Sequence, residues 1–170
     1  MTLAGLNAAT EAAAREALER CCGARVWVDA MLASRPFADA AALHAAADRA
    51  DAALTADDWR EAFSHHPRIG DVASLRERFA STAAWAGREQ EGAAGADETT
   101  LHALAEGNRA YEERFGFLFI VCATGRTASE MLVLLAGRLQ NDPGTELRIA
   151  ASEQARITRL RLDKLLLEES

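Results

Sequence analysis

The residue types best suited to chemistry crowd into one stretch, His65-His66-Pro67-Arg68-Ile69-Gly70-Asp71, where two imidazoles, a guanidinium and a carboxylate surround a proline and a glycine. An unperturbed imidazole titrates at about pH 6.5, so either histidine can exchange protons without large tuning. Pro67 fixes its own φ and pushes His66 out of the α region. The stretch therefore predicts a helix that ends here and holds His66 extended, a turn at Gly70, and Asp71 as the cap of a helix over 72–80. Two readings are open on these residues alone: a polar turn between helices, or a proton-transfer site with a preset imidazole.

Three more groups could contribute. Glu89 follows Trp85 by one helical turn, so the two share a face. A carboxylate desolvated by an indole has a raised pKa and suits proton transfer; a solvated surface glutamate is the alternative. Asn108 falls inside the apolar stripe Leu101, Leu104, Ala105, Tyr111, Phe115, where its amide needs partners, either as a core bridge to a loop or as a substrate contact. In the last helix, projection at about 100° per residue puts Leu147, Ile149, Ala150, Ile157, Leu160, Leu165 and Leu167 on one arc. Arg161 lies within that arc, as do Lys164 and Glu153, and Arg159 points the other way. A guanidinium against a core is costly unless paired, which leaves a buried ion pair or an anionic ligand for Arg161.

The elements that must position these groups read as helix after helix. Thr10 opens a segment to about Cys22, broken by Gly23; a second covers Val26 to Ala33 and stops at Arg35-Pro36; a third runs from Asp39 to Leu54. Trp27, Val28, Met31 and Leu32 recur at helical spacing and are core. His44, in the alanine-rich third helix, is read as a core-edge histidine. Thr55 with Asp58 caps the helix that delivers His65 and His66. Two stretches follow, 71–80 and 81–91, then a break at Gly92-Ala93-Ala94-Gly95 and a helix over 97–115. The run Phe115-Gly116-Phe117-Leu118-Phe119-Ile120-Val121-Cys122 is aromatic and β-branched, and its length does not separate a strand from an irregular or helical segment. Thr127 and Glu130 form a capping box for a helix over 128–139, Asn141-Asp142-Pro143-Gly144 is a turn, and the last helix runs from Thr145 to about Leu167.

Composition narrows the class. A chain of 170 residues, 49% hydrophobic, fits one globular domain with a sizeable core. The net charge of −7, with no dense basic run, argues against nucleic acid or an anionic membrane as the main partner. Three cysteines, two of them adjacent, with no CxxC pair, fit a reducing cytoplasm better than a disulfide framework. The first residues carry neither a charged region nor a long apolar run, and no segment approaches the roughly 18 apolar residues of a membrane span. A cytoplasmic, unprocessed protein is expected.

The ordered set His66-Pro67-Arg68-Ile69-Gly70-Asp71, Arg88-Glu89-Gln90, Asn108-Arg109-Ala110-Tyr111 leading into Phe115–Ile120, Arg138-Leu139 and Ile157-Thr158-Arg159-Leu160-Arg161-Leu162 resembles the decarboxylases of 2-oxo-4-hydroxy-4-carboxy-5-ureidoimidazoline (OHCU) over nearly the whole chain. The resemblance implies an all-α, single-domain multi-helix bundle, no cofactor and no metal, a homodimer, and the last step of urate breakdown to (S)-allantoin. By position it puts the catalytic histidine on His66, the glutamate on Glu89 and the carboxylate-binding arginine on Arg161. Pro67, Gln90 and Asn108 match pocket residues, and the backbone N–H groups of Phe119, Ile120 and Val121 match contacts to the ligand. Ala86 stands where the family often has serine, so one hydroxyl contact is missing or supplied elsewhere. Two other classes stand against this one. A metallohydrolase using His65, His66 and Asp71 lacks both HExxH and HxH spacing. A purely structural helical module leaves Asn108 and Arg161 without a shared purpose.

Overall fold

Short polar residues decide where the helices begin. Thr2, Thr10, Asp39, Thr55 and Thr127 each accept, through a side-chain oxygen, the backbone N–H three residues on, satisfying donors that the first helical turn leaves unpaired. The computed structural model describes residues 1–68, 71–85 and 98–167, and every regular element among them is a helix. In order these are α1 (Leu3–Ala8), α2 (Glu11–Glu19), α3 (Arg25–Ala33), α4 (Ala40–Ala52), α5 (Ala56–Ser64), α6 (Val72–Trp85), α7 (Glu98–Phe115), α8 (Ala128–Arg138) and α9 (Pro143–Leu167). The all-α expectation holds. Among the described residues no helix is long and apolar enough to cross a membrane.

Two details differ from the sequence reading, and one that it left open is resolved. The break expected near Ser81 is absent: α6 runs on to Trp85, since neither glycine nor proline interrupts it there. The rest of the expected helix over 81–91, and the glycine break after it, lie outside the described residues. Helix α9 starts at Pro143, not Thr145, because proline suits the first helical position and Asp142 caps it, accepting Thr145 N–H at 2.9 Å. The aromatic run after α7 is irregular, neither strand nor helix. Gly116, at φ 77°, turns the chain out of α7 in the left-handed region that glycine adopts without penalty.

The chain divides into two compact units. The first joins Met1–His66 with Ile120–Cys122 and Leu147–Ser170. Its core is built from Leu6, Leu18, Trp27, Met31, Leu43 and Leu162, all fully buried. Burial of each such side chain contributes about 1.5–3 kcal/mol. Asn7 clasps the turn that follows the cis Arg35-Pro36 bond, donating to Phe37 O at 2.8 Å and accepting Phe37 N–H at 2.9 Å. Cys21, Cys22 and Cys122 are all reduced thiols.

The second unit comprises Pro67–Phe119 and Ala123–Glu146. Gly107 allows α7 close to α8, since a Cβ there would lie 2.6 Å from Leu135 Cδ2. At its centre Arg138 pairs with Glu146 at 2.5 Å, and the Tyr111 hydroxyl donates to the same carboxylate. The Arg138 guanidinium also lies 4.6 Å over the Phe119 ring, and Tyr111 meets that ring edge-on at 5.2 Å. Burial first, and then Glu146, push the Tyr111 phenol well above its ordinary range, so it stays a donor.

Candidate active site

Helix α5 ends where the sequence places the chemistry. Its N-terminus is locked by the Thr55/Asp58 capping box, and at its other end His66 N–H still reaches Phe63 O at 3.2 Å. The two histidines then part. His65 is exposed, but its ring lies against Gly23: a Cβ on that glycine would sit 2.3 Å from His65 Cγ. His66 is half-buried and turns to α9, with Nε2 2.6 Å from Gln154 Oε1. Asp71 does what its position predicts, accepting Ser74 N–H at 2.7 Å, a bond that also lowers its carboxyl pKa.

Behind His66 the contacts continue into the core. Gln154 is 4% exposed and donates through Nε2 to Thr158 Oγ1 at 3.2 Å. Thr158 is itself buried and hydrogen-bonded to the Cys22 thiol, whose pKa is pushed up to about 11, chiefly by burial. The neighbouring Glu153 accepts the backbone N–H of Cys122 at 2.8 Å, which holds the tripeptide Ile120–Cys122 to the same helix.

Arg161 flanks the buried stripe of α9, as the projection expects, and Arg159 is exposed, 3.5 Å from Asp48. The apolar arc itself is corrected. Leu160 and Leu167 are 38% and 79% exposed, and the buried stripe runs instead through Ala150, Gln154, Thr158, Leu162 and Leu165. The rotation of α9 follows this i, i+4 row, whose polar members Gln154 and Thr158 satisfy each other and so tolerate burial. Among the described residues no carboxylate pairs with Arg161, which donates only long bonds, 3.4 and 3.5 Å, to the carbonyls of Arg20 and Cys21. It opens onto a cavity of about 420 Å³ lined also by Arg20, Gly23, His65 and Lys164, with Glu19 as a lone carboxylate. That excess of positive charge favours the anionic-ligand reading of Arg161 over the buried ion pair. His66 does not line this cavity; it meets α9 two turns nearer the N-terminus.

Asn108 is half-buried and folds its amide back onto its own helix, Nδ2 donating to Leu104 O at 2.9 Å. Asn108, Pro67 and Phe119 belong to the second unit, and His66, Ile120, Val121 and Arg161 to the first. Glu89, Gln90 and Ala86 lie outside the described residues. No group of three or more His, Cys, Asp or Glu side chains that could hold a metal occurs among the described residues.

Comparison with known proteins decides the family. The OHCU decarboxylase family model matches residues 7–163. The chain belongs to the OHCU decarboxylase family. It is 40% identical over 153 residues to the uric acid degradation bifunctional protein TTL of Arabidopsis thaliana, covering 88% of this chain and 46% of that protein, so the chain spans less than half the length of this relative. The 2-oxo-4-hydroxy-4-carboxy-5-ureidoimidazoline decarboxylase of Haloferax volcanii is 28% identical, covering 80% of this chain and 79% of its own. A crystal structure of an OHCU decarboxylase in the presence of (S)-allantoin superposes with a TM-score of 0.69 at 40% identity, covering 88% of this chain and 96% of the other. Sequence reasoning missed Gln154 and Thr158, the buried polar residues of α9 that stand behind His66. Their signal was two polar residues spaced i, i+4 and followed by Arg161 at i+7, on one face of an otherwise apolar helix.

Proposed function

We propose that this chain decarboxylates 2-oxo-4-hydroxy-4-carboxy-5-ureidoimidazoline to (S)-allantoin, the last step of urate degradation to allantoin, as a carbon–carbon lyase without metal or cofactor. The observation that carries the reading is that one helix, α9, in a chain of this family, takes His66 at Gln154, the Ile120–Cys122 segment at Glu153, and presents Arg161 with no carboxylate partner among the described residues.

The chemistry needs little beyond orientation and protons. As the carbon–carboxylate bond breaks, its electron pair passes into the conjugated ring C=N, whose nitrogen takes up a proton, CO2 leaves, the hydroxyl proton departs to give the carbonyl, and a proton is delivered to the ring carbon that becomes the stereocentre. Arg161 clamps an anionic or carbonyl oxygen of the substrate, backbone N–H groups at Phe119, Ile120 and Val121 hold another edge, and Pro67, Gln90 and Asn108 complete the pocket. His66 takes or relays the hydroxyl proton and Glu89 assists in proton transfer. The chain works as one catalytic domain, assembles as a homodimer and resides in the cytoplasm; light scattering of the purified protein checks the dimer.

The adjacent histidines supply the test. General acid–base groups contribute about 10² to 10⁴ in rate, so His66→Ala should lower kcat by that order with the fold intact by circular dichroism. His65→Ala should lower it far less. The substrate decays unaided to racemic allantoin, so the product is followed polarimetrically. Formation of (S)-allantoin by His66→Ala at the wild-type rate would remove His66 from the mechanism.

A further inference from the structure

We infer that Gln154 is a positioning residue that fixes the tautomer of His66, holding its proton on Nε2 so that Nδ1 is the nitrogen that exchanges protons with substrate. The inference rests on the reading of His66 as the reacting imidazole, and it assigns a role to a residue outside that reading.

A carboxamide can present either an oxygen or an N–H to a ring nitrogen, and its surroundings choose between them. Here the Gln154 Nε2 donates to Thr158 Oγ1 at 3.2 Å, leaving Oε1 to face His66 Nε2 at 2.6 Å. A threonine hydroxyl could have donated to the amide instead and reversed this order. Thr158 is also hydrogen-bonded to the Cys22 thiol, which gives its hydroxyl proton a partner other than the amide. With that proton on sulfur, the series His66, Gln154, Thr158, Cys22 runs in one donor direction, into the core. Gln154 and Thr158 are 4% and 1% exposed, so water does not compete for these bonds. An acceptor at Nε2 requires a proton there, and a neutral imidazole then carries its lone pair on Nδ1. A half-buried ring without that anchor would populate both tautomers, only one of which has its basic nitrogen aimed at substrate.

Two substitutions separate positioning from packing. Gln154→Leu keeps most of the volume and removes the acceptor; Gln154→Glu keeps an acceptor oxygen at the same reach. Long-range ¹H–¹⁵N spectra should show neutral His66 as the Nε2–H tautomer in the wild type and in Gln154→Glu, and as a mixture in Gln154→Leu. In parallel, kcat should fall about 10- to 100-fold in Gln154→Leu, the range for losing a histidine's orienting partner. KM should barely move, and Gln154→Glu should recover most of the rate. A wild-type Nδ1–H tautomer overturns the inference, as does a folded Gln154→Leu with full kcat. Should leucine prevent folding, the wild-type tautomer and the Gln154→Glu rate decide the matter by themselves. His66→Ala is assayed alongside: if it retains full activity, the reading of His66 falls and this inference with it. If His66→Ala is inactive while Gln154→Leu keeps the wild-type rate and tautomer, only the role of Gln154 falls.

Discussion

Arginines at 159 and 161 are chemically the same residue two positions apart, and only their placement distinguishes them. Arg159 is exposed near Asp48, where a solvated pair contributes little, whereas Arg161 borders the buried stripe and faces a cavity rich in positive charge. A guanidinium offers a planar fork that an ammonium cannot reproduce. Arg161→Lys should therefore cut kcat/KM by about 10- to 100-fold, the size of one or two charge-assisted hydrogen bonds, with Arg159→Lys near wild type. Equal behaviour of the two variants in steady-state assays would count against Arg161 as the clamp. A second residue-scale expectation concerns Glu146, fully buried and shared by Arg138, Tyr111 and Asn141. Removing one partner leaves an uncompensated buried charge, so Glu146→Ala should cost about 3–5 kcal/mol in urea unfolding. At this scale the sequence singled out two of the proposed site residues. His66 was marked by the proline after it, and Arg161 by its angle on α9. Gln154 was not, because a buried glutamine is indistinguishable from a surface one until the helix rotation is known.

At the scale of elements, the turn from α2 into α3 controls the end of α5. Gly23 is buried under the His65 ring, and an added Cβ would meet the near end of that side chain, Cβ and Cγ, which cannot swing aside without moving the backbone. Gly23→Ala should cost about 1–3 kcal/mol in stability by overpacking. Because the displaced residue adjoins His66, it should also lower kcat by up to about 10²-fold, the effect of misplacing a reacting group by an ångström. Unchanged kcat in this variant would show that the α5 terminus tolerates movement. Helix α4 carries a pH-dependent element. Desolvation first, and then Asp48, push the Asp51 carboxyl up to about 6. A raised carboxyl favours the protonated fold, so this contribution is fully present below the unfolded value near 3.8 and is lost as pH rises through about 6. Asp51→Asn should thus be more stable than wild type at pH 7.5 by about 1 kcal/mol, after discounting for partial solvent screening, and indistinguishable from it below about pH 4. Denaturant melts across that range decide. Element starts were legible because caps are local chemistry: Thr10, Thr55 and Thr127 all act as read. The exposed Leu160 and Leu167 were misassigned because several leucines on both sides of α9 give a broad arc, and tertiary packing chooses within it.

Over the whole molecule, alanine-rich periodicity and the lack of alternating β-branched runs were enough to give the all-α class, whereas the joining of Met1–His66 to Ile120–Cys122 and Leu147–Ser170 is a long-range fact that no local pattern carries. That arrangement brings His66 and the Ile120–Cys122 segment against α9, the helix that carries Arg161, and on the proposed reading it bears on what the reaction must draw from outside. Decarboxylation needs somewhere for an electron pair to go, and the substrate's conjugated C=N is such a place. A metal or an organic electron sink would duplicate it. On the proposed reading what remains is charge complementarity, assigned to Arg161 and the cationic cavity, and proton exchange, assigned to an imidazole. Turnover should therefore be unchanged after exhaustive dialysis against a chelator, with (S)-allantoin still formed in excess. Complete loss of activity under chelation, restored by Zn²⁺ or Mg²⁺, would instead require a metal that polarises the carbonyl or holds the carboxylate, and would reassign Arg161 from clamping substrate to supporting that ion.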